Sequence, residues 1–277
     1  MPHAGVDLPY WDGYLRQLEA EPVDYDHQVL HSHVGCWDDP TWSNRVSEHY
    51  ALAAESMCQK VCAAAGVDAG QRVLDVGCGL GTVVASINQR VEPIDLVGVN
   101  IDARQLAIAR KGVPPRGANH VDFVTADAGR LPFAEDAFDR LLALECTFHF
   151  ESREGFLQEA HRVLRPGARY ALCEHFLTEQ ARPASEQRRQ SRIWGPFMEP
   201  CKVSRYCELA EAAGFELVEQ LDVTRLTVPT YPGIRQLMRR GLPWPKRWQA
   251  VAMLWFTEWL MRRGRLKYMI LAFEARG

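Results

Sequence analysis

The chain has 277 residues, 47% of them hydrophobic and 24% charged, which fits one globular unit with embellishments or at most two domains. Its net charge of -3 lacks the basic footprint of nucleic-acid binders, so the expected partner is a small molecule and not a polyanion. The opening MPHAGVDLPYW has no basic start before an apolar run, and no uncharged apolar stretch reaches the about 20 residues that span a bilayer. Eight cysteines are scattered without a C-x-x-C pair. That usage fits reduced, buried thiols and a cytoplasmic protein, and argues against a zinc site or a secreted disulfide scaffold.

In chain order, residues 43–65 carry apolar positions at helical spacing after a Ser43 cap, and Gly66 and Gly70 end that helix. Strand and helix signals then alternate. Strands are expected at 72–77, 95–101, 121–125, 138–144 and 168–176, and helices at 82–90, 102–112 and 152–164. Alternation of this kind predicts a parallel sheet covered by helices on both faces, with ligands outside the carboxyl ends of the strands. Residues 177–204 are polar and proline-containing and read as a cap insertion. Regularity resumes with the helix SRYCELAEAAGF and the strand FELVEQLDVT, then helices near 231–241 and 245–263 and a last strand, LKYMILAFEAR. The expected organisation is an N-terminal helical cap (1–66), a core (67–176), the insertion (177–204) and a C-terminal completion of the core (205–277).

Gly77-Cys78-Gly79-Leu80-Gly81 follows a strand and precedes a helix. The dinucleotide fingerprint G-x-G-x-x-G would need glycine at position 82, which is Thr82, so the loop is G-x-G-x-G. Asp75 stands two residues before it. A carboxylate there repels a pyrophosphate and attracts a cation, which favours S-adenosylmethionine, with its sulfonium and ammonium, over NAD. The second strand ends at Asn100, where nucleotide sites usually carry an acid for the ribose hydroxyls, and Asp102 is placed to cap the next helix. Asp127, after the third strand, is either a turn residue or an acceptor for an adenine amino group.

These segments, VLDVGCGLG, VGVNIDARQLAIAR, ADAGRLPF, FDRLLALE and EAHRVLRPGARYAL, resemble in order and spacing the successive motifs of class I S-adenosylmethionine-dependent methyltransferases. The likeness covers roughly residues 30–225 and the C-terminal strand. It is nearest to small-molecule and natural-product enzymes, including deoxysugar O-methyltransferases and isoprenoid C-methyltransferases. The resemblance implies a Rossmann-like α/β fold: a seven-stranded, mostly parallel sheet with an antiparallel C-terminal strand. It implies that Asp75, Gly77, Cys78, Gly79 and Gly81 hold the methionine portion of the cofactor. Asn100, Ile101 and Gln105 would face ribose and adenine, and Asp127 and Ala128 the adenine edge. Asn100 departs from the acid of many members, which bears on ribose affinity.

Two strand ends offer proton chemistry: Glu145-Cys146-Thr147-Phe148-His149-Phe150 and Cys173-Glu174-His175-Phe176. A hydroxyl acceptor needs a base, and a carboxylate and histidine converging from adjacent strands supply one. By likeness to sugar O-methyltransferases, His149 and Glu174 are the catalytic pair. By likeness to isoprenoid C-methyltransferases, Glu174 instead takes a proton from a carbocation that aromatic faces stabilise. Phe148, Phe176, Trp194 and Phe197 are the expected substrate-lining aromatics, with Phe150 a further candidate. Glu145 is expected to touch cofactor or order its loop, and His175 to point away from Glu174, because strand neighbours alternate. His31-Ser-His33-Val-Gly-Cys-Trp37 resembles the stretch that closes over cofactor in these enzymes, and no third ligand suggests metal. The Trp244–Arg263 segment is apolar with basic ends, open to lining a lipophilic pocket, lying at a membrane surface or forming a homo-oligomer face. The expected reaction is methyl transfer to a small, largely apolar acceptor, at oxygen or, alternatively, at isoprenoid carbon. An NAD-dependent oxidoreductase or a non-catalytic nucleotide-binding module is the remaining reading.

Overall fold

A computed structural model describes residues 33–39, 46–181, 201–241 and 246–277, with the side chains of 46–48, 236–241 and 246–247 excepted. Its elements are α1 (Val46–Ala65), β1 (Arg72–Val76), α2 (Thr82–Arg90), β2 (Asp95–Asn100), α3 (Ala103–Gly112), β3 (His120–Thr125) and β4 (Phe138–Leu144). There follow α4 (Arg153–Val163), β5 (Leu164–Leu177), α5 (Val203–Ala212), β6 (Phe215–Asp222), α6 (Thr224–Thr227), α7 (Thr230–Gly241), α8 (Lys246–Arg262) and β7 (Leu266–Ala275). The seven strands form one sheet in the order β3-β2-β1-β4-β5-β7-β6. The first five run parallel, and β7 enters antiparallel between β5 and β6. Fold class and strand number are as the sequence implies.

The central strands read as apolar runs because both faces are covered: four of five β1 residues and the Leu141–Leu144 stretch of β4 are buried. One face packs Met57 and Val61 of α1, Val84 and Ile87 of α2, Leu106 and Ala109 of α3, and Tyr231, Leu254 and Leu260 of α7 and α8. The other packs Phe156, Leu157 and Ala160 of α4 against Tyr206 and Ala210 of α5. Phe156 is fully buried, and truncating it to alanine should cost about 3–5 kcal/mol. Ser152 accepts from Gly155 N at the start of α4, and Asp102 accepts from Arg104 N at the start of α3, the capping role expected of it.

The chain order reverses direction across the sheet between β1 and β4, and the crevice at such a switch point is where this class of sheet binds ligands. The glycine loop leaves β1 at that point. β5 begins at Leu164, four residues earlier than its sequence pattern, because Leu164 pairs with Phe138 across an irregular register despite the Pro166-Gly167 turn signal. Two short elements carried no sequence signal: a 3-10 turn at Thr147–His149 and helix α6. Ser43 and the bulk of the cap insertion, Trp194 and Phe197 included, lie outside the described residues.

Candidate functional site

β1 delivers Asp75 into the sheet interior, 3% exposed. Burial pushes its carboxyl up to about 8, and Oδ2 has no hydrogen-bond partner. A buried carboxylate oxygen without a donor is costly, so this atom calls for a cationic or hydrogen-bonding ligand. The loop after it is closed onto β2: Gly77 N and Cys78 N both donate to Val99 O, at 2.8 and 3.0 Å. Gly77 has φ +73, and a Cβ there would lie 2.6 Å from Cys146 Cβ. A Cβ at Gly81, φ +76, would meet the Phe123 ring at 2.8 Å. The glycines are therefore dictated by both backbone conformation and close approach.

At the end of β2 the Asn100 amide donates to Gln105 Oε1 at 3.0 Å, and Gln105 is buried. Gln105 Oε1 is also the nearest neighbour of a Cβ built on Gly79, at 3.5 Å, so Asn100, Gln105 and the glycine loop share one corner. Ile101, partly exposed, follows directly. Asp127 is exposed and uses Oδ1 to accept from Gly129 N at 2.8 Å, the turn role. Ala128 beside it is buried.

The two faces of β5 separate the acid-base candidates. Glu174, 1% exposed, shares a face with Leu172 and Phe176, toward α4 and α5. Thr147 donates its hydroxyl to Glu174 Oε2, while Oε1 has no partner. Burial raises this carboxyl, and the nearby Arg153 guanidinium opposes the rise. The hydrogen bond that holds Glu174 thus comes from Thr147. In a 3-10 turn of about 120° per residue, positions 147 and 149 point in different directions. His149 instead lies against Phe148, ring centroids 4.5 Å apart. Phe176 is fully buried, edge-to-face on Tyr206. Cys146 links this side to the glycine loop, its thiol donating to Val76 O at 3.1 Å.

On the opposite face lies a second polar cluster. His175 Nε2 is 2.6 Å from the Tyr231 hydroxyl, and its Nδ1 is 3.9 Å from Glu145 Oε1. Burial pushes the imidazole down to about 4, so it is neutral at physiological pH and accepts the Tyr231 proton at Nε2 when Nδ1 carries its hydrogen. Glu145 adopts φ +48, a strained conformation for a non-glycine residue of the kind that concentrates at functional sites. Burial pushes its carboxyl up to about 7. It also accepts from Val34 N at 2.9 Å. That bond ties the His33–Trp37 strap to the end of β4, and Thr230 ties it to α7 by accepting from Gly35 N and Trp37 Nε1 at 3.1 and 2.7 Å. Thr147 lay unremarked within the strand-end segment, and Arg153, Thr230, Tyr231 and Tyr268 had no motif to mark them. They come from helix starts and the far strand, and only the fold assembles them. Among the described residues no three His, Cys, Asp or Glu side chains are grouped to hold a metal ion, and His31 lies outside them.

The methyltransferase-domain family matches residues 74–172, the span from β1 through β5. The chain is 34% identical over 244 residues to methyltransferase GfsG of Streptomyces halstedii, covering 84% of this chain and 85% of that one. The chain belongs to the S-adenosylmethionine-dependent methyltransferases. It is also 31% identical to an O-methyltransferase of Pyrenophora dematioidea, over 69% of this chain and 70% of the relative. Geranyl diphosphate C-methyltransferase of Streptomyces coelicolor A3(2) shares the fold along 98% of this chain and 100% of its own, with a TM-score of 0.72 at 16% identity. The methyl donor is S-adenosylmethionine, and the unanswered Asp75 oxygen beside a glycine cradle fits its positive charge. No described helix is long and apolar enough to cross a membrane.

Proposed function

We propose that this methyltransferase acts at a hydroxyl oxygen of a small, largely apolar acceptor of natural-product type. The observation that carries the reading is Glu174: a buried carboxyl, raised by burial, fixed through one oxygen by Thr147 and with the other oxygen unpartnered. A raised carboxyl is a stronger base when ionised, and one held oxygen leaves the other to take a proton. The O-methyltransferase relative, at 31% identity over 70% of its length, supports oxygen as the acceptor atom.

In this reading Asp75, Gly77, Cys78, Gly79 and Gly81 hold the methionine portion of the donor. Asn100, Ile101 and Gln105 face the ribose and adenine, and Asp127 and Ala128 the adenine edge. Bound S-adenosylmethionine supplies an electrophilic methyl on a sulfonium. Glu145 holds the strap through Val34, and Glu174 accepts the hydroxyl proton with Phe148 and His149 bordering the acceptor. Placement in line with the donor is the larger share of such catalysis.

The second reading is C-methylation of an isoprenoid alkene, in which Glu174 removes a proton from a carbocation faced by Phe148 and Phe150. The fold shared with the geranyl diphosphate C-methyltransferase supports it. The test is mass spectrometry of cell extract incubated with methyl-labelled donor. A labelled small metabolite carrying a methoxy group is expected. Label on carbon moves the assignment to the second reading, and label on protein or nucleic acid contradicts both.

A further inference from the structure

Residues 230–265, the α7–α8 hairpin, hold eight Lys or Arg and a single acid, Glu258, a balance of +7 in a chain whose total is -3. The remainder therefore stands at -10. The same 36 residues contain four of the eight tryptophans. The single acid is turned inward: Glu258 is buried and ion-paired with Arg235, itself buried, and also accepts from Arg262 Nε at 2.9 Å. Arg235 in turn lies 3.8 Å from the centroid of the Trp255 ring. The pair locks α7 to α8 and buries the one acid of residues 230–265.

That outer face is aromatic. Trp248, Trp255 and Trp259 are 53, 54 and 48% exposed, and with exposed Ala252 they follow one helical stripe. The inner stripe, Val251, Leu254, Leu260 and Met261, is buried, so the helix packs on one side and presents indoles on the other. Phe256 stacks on Trp259 at 5.8 Å, Arg263 lies 5.4 Å over the same ring, and Arg262, Arg263 and Arg265 are exposed at the C-terminal end. Half-packed, half-open indoles beside arginines are the chemistry of a helix lying in the headgroup layer, with apolar rings below and cations at the phosphates.

We propose that the outer face of α8 docks the enzyme on an anionic lipid bilayer. The occupant follows from charge and ring together: a segment of net charge +7 in an acidic protein selects an anionic partner, and a tryptophan stripe selects one with an apolar interior. α7 starts at Thr230 and Tyr231, which bind the strap and His175, so docking sets the functional site near lipid, where an apolar acceptor dissolves. The proposal stands whichever acceptor atom is methylated.

The test is co-sedimentation of the full chain with vesicles of phosphatidylcholine alone or with 30% phosphatidylglycerol. Binding to the anionic vesicles only is expected, with a blue shift of tryptophan emission and loss in 0.5 M salt. Trp248→Ser with Trp259→Ser should lower partitioning at least tenfold, and Arg263→Gln about fivefold. Retained calorimetric binding of S-adenosylhomocysteine by each variant shows that it is folded. Equal or absent binding to both vesicles overturns the proposal. So does a dimer seen by light scattering that the tryptophan substitutions dissolve, because the face would then belong to a second copy.

Discussion

Glu174 and His175 are neighbours in sequence, yet they stand on opposite faces of β5 with different partners. Glu174 faces α4 and α5, with one oxygen held by Thr147 and the other without a partner. His175 faces α1 and α7, its ring bonded to Tyr231 and set at 4.8 Å, perpendicular, to Tyr268. Burial acts on both and in opposite senses, raising the acid and lowering the imidazole, because it disfavours whichever form is charged. The acid retains unused bonding capacity suited to proton transfer, and the histidine is spent on holding the strap side together. A β-strand can thus present a reactive group on one face and a structural one on the other with no spacing between them.

The largest expected effect separates the faces directly. Glu174→Gln should lower kcat about 10²- to 10⁴-fold while leaving S-adenosylhomocysteine affinity within about twofold. An equal loss of affinity would place Glu174 in the cofactor site instead. Next is Asp75→Asn, which leaves a donor cation without its buried counter-charge. Affinity for S-adenosylmethionine should fall about a hundredfold by calorimetry.

A third effect is on stability against pH. Asp75 and Glu145 have carboxyls raised to about 8 and about 7, so the folded protein holds protons that the unfolded chain releases. Their contribution is most favourable below the unfolded carboxyl range and is lost as pH rises through 7 and 8. The ligand-free protein should therefore melt lower at pH 8.5 than at pH 6, and Asp75→Asn should flatten that slope. The smallest effect falls on the His175 face: Tyr231→Phe removes one buried hydrogen bond, about 1 kcal/mol or about 2–4 °C in Tm. A kcat loss matching Glu174→Gln would erase the distinction between the faces.

Much of the fold was legible. Helix 82–90 and strand 138–144 appear with the bounds their patterns imply, because Gly81 opens the one and the apolar Leu141–Leu144 run marks the other. The edges were less so: β5 starts at Leu164 and runs through the Pro166-Gly167 turn signal because tertiary pairing with β4 overrides it. The glycine loop and Asp75 were readable because loop chemistry is local. The partner of Glu174 was not, since Thr147 and His149 differ by two positions and only the hand of a three-residue turn decides between them. Tyr231, 56 residues beyond His175, left no local trace at all.

In the proposed mode of cofactor binding the buried Asp75 carboxyl answers the positive charge of the methyl donor. Calorimetric titration of S-adenosylmethionine at pH 7 in buffers of different ionisation enthalpy measures the protons exchanged on binding. Release of close to one proton is expected as the Asp75 carboxyl, raised to about 8 in the free protein, ionises against the cation, and no such release from Asp75→Asn. Binding without proton exchange, or the same release from the variant, would contradict it.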